Sequence, residues 1–506
     1  MIKKMEKSKL ISEVKKFFKI QEFVDEPTFK KWGENAWNFL DEKLLETIII
    51  LRRDILKVPM VCNDWCFGGK NSQRGLRSNL SYLVKEKTNK NELYLSQHCF
   101  DEETFILTDN GWRCINDILE TDKVFSYNIE KNVVELKPID SIIKQEYEGK
   151  MVKFKNLNID ILVTDKHRMV VRSNNKKYKR KTNRILSENS HKYFDSLKTN
   201  NDVWHIELAK DIVGKRRELL CAANVQKYKE CDLNIWKLAF ATIADGYFQY
   251  KKNTTAIGFR FKKQRKCEQL EELLNKIGSP ITKTLDKNNV WNYYIRNEYA
   301  EKIYSIIGKD KNIPNYVLLL GGDILKELVY YYAQYDGCFS KRENDKHFSI
   351  SSSRENNAYM LQTMCALSGM RSQINIIKPH SYNINGKNGY SKTSYNITIN
   401  PETNETRINE DKSSVISYKG KVWCVNNSNT TLVTKRNNLI SIQGNCFGKA
   451  LDLVSSKMTA EEMRKKIIAN KNKLPYPIRL EDGVTWLHFD VMCMANQTDK
   501  VYLFKG

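Results

Sequence analysis

The feature that most constrains this chain is a break in its sequence at Cys99. Residues 95–98 read LSQH, and the motif that they begin continues only at Cys446, in QGNCFGKALDL at 443–453. When the 347 residues from 99 to 445 are removed, the text becomes SQH-CFGKALDL and reads continuously. We therefore predict one unit built from two separated segments, 1–98 and 446–506, and other units inserted between them.

The joined flanks carry polar residues in a pattern typical of a metal site. The pattern is S-x-H-x-x-G-x-A-x-D followed by H-x-D, and it is formed by Ser96, His98, Gly448, Ala450, Asp452, His488 and Asp490. It resembles the zinc D-Ala-D-Ala carboxypeptidases of phage type, which cut peptidoglycan peptides. The resemblance implies an α+β zinc peptidase split into an N-extein and a C-extein, with His98, Asp452 and His488 as the zinc ligands. Two imidazoles and a carboxylate hold zinc tetrahedrally and leave a fourth position for water.

Two more residues of the flanks follow from this resemblance. The stretch NDWCFGGKNSQRGLR resembles the part of the family with an arginine that polarises the scissile carbonyl, and Arg77 matches it. Many relatives place an acidic general base three residues before the last histidine, where this chain has Thr485. Asp490 is then either the general base or a carboxylate that orients an imidazole, and both roles stay open. Because the insertion separates the zinc ligands, we expect the zinc site to be incomplete until the insertion is removed.

The two ends of the insertion carry residues that can remove it. Cys99 begins it, Asn445 ends it and Cys446 follows. A thiol can attack the carbonyl before it, a second thiol can take over the acyl group, and the asparagine amide can close on its own carbonyl. These ends resemble an intein, a self-splicing element. The resemblance implies autocatalytic excision that needs no cofactor and joins His98 to Cys446.

Other residues match the intein pattern or depart from it. The stretch IDILVTDKHRMVV contains T-x-x-H as Thr164 and His167, and the resemblance implies that His167 donates a proton to the attacked amide. Cys424 occupies a position where relatives carry an assisting Cys or Asp. In contrast, Gly444 replaces the usual penultimate histidine, and a second usual histidine is replaced near Thr430. These two departures at the C-terminal end predict slow or conditional splicing.

Alternating apolar and polar residues in VVELKPIDSIIKQEYEGKMVKFK predict β-strands near the ends of the insertion. The intein resemblance implies an all-β, horseshoe-shaped splicing domain of the Hint type. We assign it to 99–225 and 406–445. Such a fold brings the two junctions together, and proximity makes them react.

Two helical stretches lie between these parts, IWKLAFATIADGYF at 235–248 and ELVYYYAQYDGCF at 327–339. Both end in Asp-Gly, and Asp245 and Asp336 are 91 residues apart, which suggests an internal repeat. The stretches resemble the LAGLIDADG motifs of homing endonucleases. The resemblance implies an α+β domain over 226–405 with two pseudo-symmetric halves. The alternative is that Asp-Gly simply ends each helix, with the glycine as the cap.

The resemblance also implies how this domain works. Small residues of the first helix would let the helices approach, although the second helix has bulky tyrosines at 330–332. Asp245 and Asp336 would then lie side by side and bind Mg²⁺ at adjacent scissile phosphates. Lys311, in KNIP, matches a block where relatives carry a functional lysine.

Charge agrees with a polyanionic partner, because the chain has 84 basic and 60 acidic residues and a formal net charge of +24. The predicted partners are double-stranded DNA at the intein-free allele and, for the spliced product, a peptidoglycan peptide. The longest apolar run is far shorter than the roughly 20 residues of a membrane helix, so we expect no membrane insertion. The basic N-terminus predicts an amphipathic helix rather than a signal peptide. We expect the precursor and the intein in the cytoplasm, and the spliced peptidase at the cell wall.

Two alternatives belong to other functional classes. In one, the insertion no longer splices and remains a homing endonuclease, while the flanks form a cell-wall binding module without catalysis. The departures at Gly444 and Thr485 favour this alternative. In the other, the protein only cleaves DNA and its flanks merely accommodate the nuclease.

Overall fold

The computed structural model describes residues 7–72, 74–76, 99–139, 141–172, 203–251, 254–296, 298–342, 345–384, 386–445, 450–491 and 499–505. The α-helices of these ranges are α1 (Lys7–Val14), α2 (Glu26–Trp32), α3 (Glu42–Ile50), α4 (Ala209–Ile212), α5 (Leu233–Ala244), α6 (Gln264–Lys276), α7 (Glu298–Ile307), α8 (Gly322–Asp336), α9 (Glu355–Leu367) and α10 (Ala460–Ala469). Within these ranges, no helix is long and apolar enough to cross a bilayer.

The strands fall into several separate sheets. They are β1 (Phe100–Asp101), β2 (Phe105–Thr108), β3 (Gly111–Arg113), β4 (Lys123–Asn128), β5 (Val133–Pro138), β6 (Ser141–Lys155), β7 (Asp160–Thr164), β8 (Arg168–Arg172), β9 (His205–Leu208), β10 (Arg217–Leu220), β11 (Tyr247–Lys251), β12 (Thr254–Phe261), β13 (Thr282–Leu285), β14 (Trp291–Ile295), β15 (Gly337–Phe339), β16 (Phe348–Ser352), β17 (Arg371–Ile377), β18 (His380–Ile384), β19 (Lys387–Ser391), β20 (Ser394–Asn400), β21 (Glu405–Ile408), β22 (Ser413–Asn426), β23 (Thr431–Arg436), β24 (Leu439–Gly444), β25 (Ala450–Leu453), β26 (Ile478–Asp482), β27 (Leu487–Asp490) and β28 (Val501–Lys505).

The two flanks of the insertion share one hydrophobic core. It combines apolar residues of 10–62 with apolar residues of 451–491. Val61 and Val454 join the flanks by an antiparallel bridge, in which each N–H donates to the other carbonyl at 3.0 and 2.9 Å. Residues alternate along β25, β26 and β27, so that Leu451, Leu480 and Phe489 are buried. The flanks are therefore already packed together in the chain that still contains the insertion.

The terminal parts of the insertion are almost entirely β-structure. Strands β1, β22, β6 and β7 form a closed barrel, and β24, β23, β2, β4 and β5 form a second sheet. The longest ladder pairs Ser141–Lys155 with Ser413–Asn426. Strand β21 crosses the boundary that the sequence places at 405, and it pairs with β10 in a third sheet with β8 and β9. Apolar residues of both terminal parts make up the core of the barrel.

The middle of the insertion consists of two similar halves. The sheet order is β11-β12-β14-β13 in the first half and β15-β16-β20-β17 in the second. The same offset of 91 that relates Asp245 to Asp336 also relates Gln264–Lys276 to Glu355–Leu367, so α6 and α9 are equivalent. Each half therefore repeats the order helix, two strands, helix, two strands, except that β18 and β19 intervene between β17 and β20 in the second half.

Helices α5 and α8 pack against each other at the centre of this middle part. On α5, Ala239 and Ala241 are fully buried. Tyr332 of α8 is also buried, and its ring meets Phe240 edge to face at a centroid distance of 6.3 Å. Lys237 of α5 pairs with Glu327 of α8 at the opposite end of the contact from Asp245. The bulky Tyr332 of α8 therefore lies within the contact between α8 and α5.

The β-rich part of the insertion contacts the middle part through Lys435, Trp112 and Tyr359. The Lys435 ammonium lies over the rings of Trp112 and Tyr359, 4.7 and 4.8 Å from their centroids. Trp112 Nε1 also donates to Thr363 Oγ1 of α9 at 3.0 Å. Burial lowers the pKa of Lys435 to about 8. Cation and aromatic rings of both parts therefore form one buried joint.

Candidate functional site

The first junction of the insertion is buried and held by Thr164. Cys99 lies immediately before β1 and has no exposed surface. Its N–H donates to Thr164 Oγ1 at 3.0 Å, and its carbonyl accepts from the Thr164 N–H at 3.1 Å. The Thr164 hydroxyl therefore lies on the amide nitrogen that splicing would release.

His167 lies beside the same junction. Its N–H donates to the Thr164 carbonyl at 3.0 Å and closes the turn between β7 and β8. The imidazole is fully buried, and its centroid is 4.7 Å from that of the Phe100 ring. Strands β1 and β22 pair Phe100 with Trp423, and one further step of this register brings Cys424 opposite Cys99. The structure thus gathers Cys99, Thr164, His167 and Cys424 around one junction.

The second junction is contacted by Arg168, which the sequence reasoning missed. Arg168 Nη1 donates to the backbone carbonyl of Asn445 at 3.2 Å. The Asn445 side-chain Nδ2 donates to the Val425 carbonyl at 2.7 Å, and its N–H donates to the Thr430 carbonyl at 3.0 Å. The carbonyl that cyclisation would attack therefore has a guanidinium donor, and Asn445 itself is fully buried.

Packing explains why glycine stands where the usual penultimate histidine is expected. A Cβ on Gly444 would lie 2.5 Å from the Arg168 carbonyl oxygen and 2.7 Å from the Arg168 Cβ. Thr430 adopts a left-handed backbone with φ of 59° and contributes its carbonyl, as described above. A guanidinium thus occupies the space beside the final asparagine. The only sequence signal for it was a basic residue directly after His167.

The two aspartates of the middle part come together at the ends of α5 and α8. Burial, followed by the nearby charge of Asp245, raises the pKa of Asp336 to about 6. A carboxylate whose ionisation is disfavoured by burial and by a neighbouring carboxylate is typical of a functional site. Carboxylate oxygens suit Mg²⁺, which is held in proteins by one or two carboxylates. The carboxylates thus fit the predicted metal.

Two lysines accompany these carboxylates. Lys311 Nζ donates to the carbonyls of Thr242 and Gly246 at 3.2 and 2.6 Å, across the C-terminal end of α5. Burial and then Arg354 lower the pKa of Lys311 to about 8, although both aspartates act in the opposite direction. Lys266 of α6 forms an ion pair with Asp245. The sequence reasoning predicted Lys311 and missed Lys266.

The repeat makes the two halves different at one equivalent position. Lys266 follows Asp245 by 21 residues, and Asn357 follows Asp336 by the same 21 residues. Asn357 is buried, and its side chain accepts from the Ile313 N–H at 2.9 Å and donates to the Lys311 carbonyl at 2.8 Å. One half therefore uses this position to pair its aspartate, and the other uses it to hold the turn that carries Lys311.

The faces of the two repeated sheets that point away from the helices are suited to DNA. None of the eight strands β11–β17 and β20, as bounded above, contains an aspartate or a glutamate. In the second half this face carries Asn375, Thr398 and Ser351, all of them exposed. Amide and hydroxyl groups read base edges, and the absence of carboxylates from these strands avoids repulsion of phosphates.

The flanks bring two of the predicted zinc ligands together. Asp452 on β25 and His488 on β27 are cross-strand partners, and Asp452 Oδ1 lies 2.6 Å from His488 Nδ1. Burial lowers the pKa of His488, but the hydrogen bonds with Asp452 and Asp490 outweigh burial and raise it to about 9. Within the described part of the chain, no group of three or more such side chains is arranged to hold a metal.

Asp490 lies on the other side of the His488 ring, with Oδ2 3.6 Å from Nε2. Arg479 holds this carboxylate with Nε 2.9 Å from Oδ1 and Nη2 2.7 Å from Oδ2, and Asp490 is buried. A buried carboxylate that is held by Arg479 fits the role of orienting the His488 imidazole better than the role of a general base. Glu481, which the sequence reasoning missed, has Oε2 3.9 Å from His488 Nδ1. The donors Asp452 and His488 fit zinc chemically, while Arg77, His98 and Cys446 lie outside the described residues.

No family model matches the chain. The ribonucleoside-diphosphate reductase subunit beta of Aquifex aeolicus is 25% identical over 405 residues, which cover 76% of this chain and 53% of that protein. The ATP-dependent Clp protease proteolytic subunit of Chlamydomonas moewusii is 22% identical over 365 residues, which cover 67% of this chain and 35% of that protein. The chain thus spans about half or less of the length of these curated relatives.

Solved LAGLIDADG proteins are among the structural neighbours. A crystal structure of the homing endonuclease I-DmoI with its target DNA in the presence of Mg has a TM-score of 0.25 and 11% identity, and covers 33% of this chain and 89% of its own. The N-terminal LAGLIDADG domain of DUF199/WhiA has a TM-score of 0.23 and 11% identity, with 33% and 74% covered.

Proposed function

We propose that residues 99–445 form a self-splicing intein that also carries a Mg²⁺-dependent, site-specific DNA endonuclease, and that the joined flanks form a zinc peptidase. The observation that carries the splicing proposal is the contact of one turn with both ends of the insertion. Thr164 at the start of this turn meets Cys99, and Arg168 at its end meets Asn445. The two reactive ends are therefore neighbours although 346 positions separate them in sequence.

At the first junction, the Cys99 thiol would attack the carbonyl carbon of His98. The carbon–nitrogen bond breaks, a thioester forms, and the Cys99 amine leaves after it takes up a proton. Thr164 holds the nitrogen of this bond, and His167 is the proton donor. The Cys446 thiol then takes over the acyl group and releases Cys99.

At the second junction, the Asn445 amide nitrogen attacks its own backbone carbonyl and closes a succinimide. The bond to the Cys446 nitrogen breaks, and the amine that leaves then captures the thioester, so that His98 and Cys446 end in an amide bond. We assign to Arg168 the stabilisation of the oxygen of the attacked carbonyl. A preorganised donor at a developing oxyanion is among the largest contributions to catalysis of acyl transfer.

The curated relatives support an inserted element. The match to the reductase subunit extends over 76% of this chain, more than the flanks could contribute, so it includes much of the insertion. The protease subunit has an unrelated name but also matches 67% of the chain. A segment shared by proteins of unrelated names is expected of an element that inserts into different hosts.

Intact mass of the full chain after bacterial expression tests splicing. We expect one product of residues 1–98 joined to 446–506 and a second of residues 99–445. The matched control is the double variant Cys99→Ala with Asn445→Ala, which should remain full length. Cleaved but unjoined ends from the parent chain would instead favour the alternative of a nuclease that no longer splices.

The endonuclease proposal rests on the carboxylates and lysines at the ends of α5 and α8. Asp245 and Asp336 would hold Mg²⁺, which supplies an activated water and stabilises the leaving oxygen of the scissile phosphate. Lys266 positions Asp245 through their ion pair, and Lys311 brings a cation of lowered pKa to the same site. The substrate would be the DNA of this gene with the codons for 99–445 deleted.

Cleavage of that duplex with and without Mg²⁺ tests the endonuclease. We expect the parent chain to cut it once and to leave the gene with the insertion uncut. Lys266→Met should lower cleavage by about 10- to 100-fold, as loss of a group that orients a metal ligand commonly does, and Lys266→Arg should keep more activity. Equal cleavage of both alleles would contradict the proposed target.

The host proposal rests on Asp452 and His488. Together with His98 they would hold zinc, which acidifies a bound water and polarises the scissile carbonyl. Asp490 and Arg479 would fix the imidazole, and Glu481 is a further carboxylate beside it. Precursor and intein would reside in the cytoplasm, and the spliced enzyme would act on peptidoglycan.

Zinc content and peptidoglycan hydrolysis of the spliced product test the host proposal. We expect about one zinc per chain, and the loss of both zinc and hydrolysis in His488→Ala. Bound peptidoglycan without hydrolysis or zinc would identify the flanks as a binding module instead.

A further inference from the structure

The two halves of the proposed nuclease part match closely, so that an extra segment in the second half can be identified. With the offset of 91, Leu285 corresponds to Ile376, whereas Trp291 corresponds to Tyr395 only with an offset of 104, which is 13 residues larger. Leu285 pairs with Trp291 in the first half, and Ile376 pairs with Tyr395 in the second. The same two strands are therefore joined at equivalent positions, but the connections differ in length.

The first half closes this connection with the five residues 286–290, whereas the second half uses the 18 residues 377–394. The added length forms the hairpin of β18 and β19, from the pair His380–Ser391 to the pair Ile384–Lys387. Pro379 has no N–H and interrupts the ladder after the pair Ile377–Ser394. The register is unchanged beyond it, because two residues, 378–379 on one strand and 392–393 on the other, separate each strand end from its continuation. The hairpin thus extends β17 and β20 as one ribbon.

The composition of this ribbon differs from that of the whole chain. Residues 371–400 contain no aspartate or glutamate, but they contain four lysines and arginines and six asparagines. Lys378 and Lys392 are exposed at the point where the ribbon leaves the sheet. Tyr382 and Tyr390 on the hairpin are 43% and 68% exposed. Tyrosines, asparagines and lysines without carboxylates fit a phosphate backbone and base edges.

The hairpin is not required by the core of its domain. None of its described residues belongs to a buried core cluster, and the first half completes the same sheet without it. Tyr382 packs across Gly389, since a Cβ on this glycine would lie 2.4 Å from the tyrosine ring. This cross-strand contact stiffens the ribbon from within. An exposed, internally supported and basic ribbon is therefore a candidate interaction surface.

We propose that the β18–β19 ribbon is an additional DNA-binding arm, which lengthens the contact with duplex DNA on the Asp336 side of the cleavage site only. This inference rests on the proposed endonuclease function. Two observations favour duplex DNA as the occupant: the ribbon continues the carboxylate-free sheet face, and its charge complements phosphate. A two-stranded ribbon also fits the major groove of B-DNA.

The expected gain in contact follows from the length of the arm. The 13 additional residues give six or seven per strand. At about 3.3 Å per residue, they add roughly 20 Å, which is the length of about six base pairs at about 3.4 Å each. The protected DNA should therefore extend about six base pairs further on one side of the cleavage site than on the other.

Hydroxyl-radical footprinting of the full chain on the intein-free gene tests this arm. One variant replaces residues 377–394 by Asp-Lys-Asn-Asn-Val, the connection of the first half. We expect protection to shorten by about six base pairs on one side and to stay unchanged on the other. A milder variant, Lys378→Ala with Lys392→Ala, keeps the backbone and should lower the slope of log affinity against log salt by about 2.

The charge-matched control is Lys210→Ala with Lys215→Ala, which removes two exposed lysines from the β-rich part and should keep the parental slope. A footprint that is symmetric in the parent, or that shortens on both sides in the loop variant, would overturn the arm while cleavage still supports the endonuclease. A parent chain that neither cuts nor protects the intein-free gene would overturn both.

Discussion

The proposed splicing centre, around Cys99 and Asn445, and the proposed nuclease centre, around Asp245 and Asp336, lie in one insertion but differ in burial and charge. Cys99 and Asn445 are both 0% exposed, and the guanidinium of Arg168 donates to the Asn445 carbonyl. In the nuclease centre, the Asp245 side chain is 25% exposed and a cluster of four charged side chains surrounds the helix ends. A centre that acts on its own backbone can exclude water, because its substrate is already in place. A centre that acts on DNA must stay open and compensate its charges with a metal.

The largest expected effect is that of Asp336→Asn on DNA cleavage. Loss of one metal-binding carboxylate should lower cleavage by about 1,000-fold or more, while splicing stays unchanged because Asp336 belongs only to the nuclease centre. Cleavage of the intein-free gene and intact mass, measured on the same preparation, check both statements. Loss of splicing in this variant would break the separation of the two centres.

Arg168→Met should slow the release of the C-terminal flank by about 100-fold, the usual cost of one oxyanion donor. Thioester formation at Cys99 should continue, so added thiol should still cleave the first junction. Arg168→Lys is the matched control and should retain part of the rate. If Arg168→Met stops cleavage at both junctions equally, Arg168 supports the fold of the turn rather than the reaction at Asn445.

Gly444→Ala should lower the yield of joined flanks by about 10-fold. The new Cβ would lie 2.5 Å from the Arg168 carbonyl oxygen and would displace the turn from Asn445. Time courses of the joined product in both chains measure this effect. The control is Gly420→Ala on β22 of the same β-rich part, where the backbone φ is not positive and the new Cβ would meet only the far end of the Tyr418 side chain. Unchanged yield in Gly444→Ala would show that strand β24 moves easily at this point.

The smallest effect is a pH dependence confined to the nuclease centre. The pKa of Asp336 is raised from 3.8 to about 6, so its carboxylate is lost as the pH falls below 6. At limiting Mg²⁺, cleavage should therefore fall about 5-fold between pH 6 and pH 5, because the ionised fraction of Asp336 falls by that factor.

The same group should shift thermal stability in the opposite direction. A carboxyl group whose pKa is raised by folding favours the folded chain when protonated, so its contribution decreases as the pH rises from about 4 through 6. Asp336→Asn should thus raise the melting temperature at pH 7.5 and change it little at pH 4. An equal shift at both pH values would mean that packing, rather than charge, causes the change.

The sequence could predict residues that belong to spaced motifs. Cys99 and Thr164 lie at the first junction of the insertion, and Asn445 lies at the second. The offset of 91 residues that relates Asp245 to Asp336 also relates α6 to α9. The sequence did not predict a role for Arg168, because that role depends on the closeness of Arg168 to Gly444, which only the tertiary structure shows.

Contacts between residues on different strands or helices could not be predicted from the sequence, for the same reason. Lys266 gains its role from an ion pair with a residue 21 positions earlier, and the equivalent Asn357 has a different role. In the flanks, the H-x-D spacing placed His488 and Asp490 on one face of a strand, but Arg479 and Glu481 come from the neighbouring strand. The roles assigned to all the site residues stay predictions, and Arg77, His98 and Cys446 lie outside the described residues.

Because the two flanks share one core, the first flank cannot complete its folding during synthesis until the second flank has been made. The apolar residues before Val61 pack against Leu451 and its successors, which the ribosome adds 390 residues later. At about 5–20 residues per second, the first flank waits roughly 20–80 s for its partner, compared with a few seconds in a chain made from the uninterrupted gene. During that interval Leu44, Leu45 and Ile48 of α3 lack part of the core that covers them. The host thus depends, for each molecule that carries the insertion, on chaperones or on rapid folding of the insertion to shield this surface.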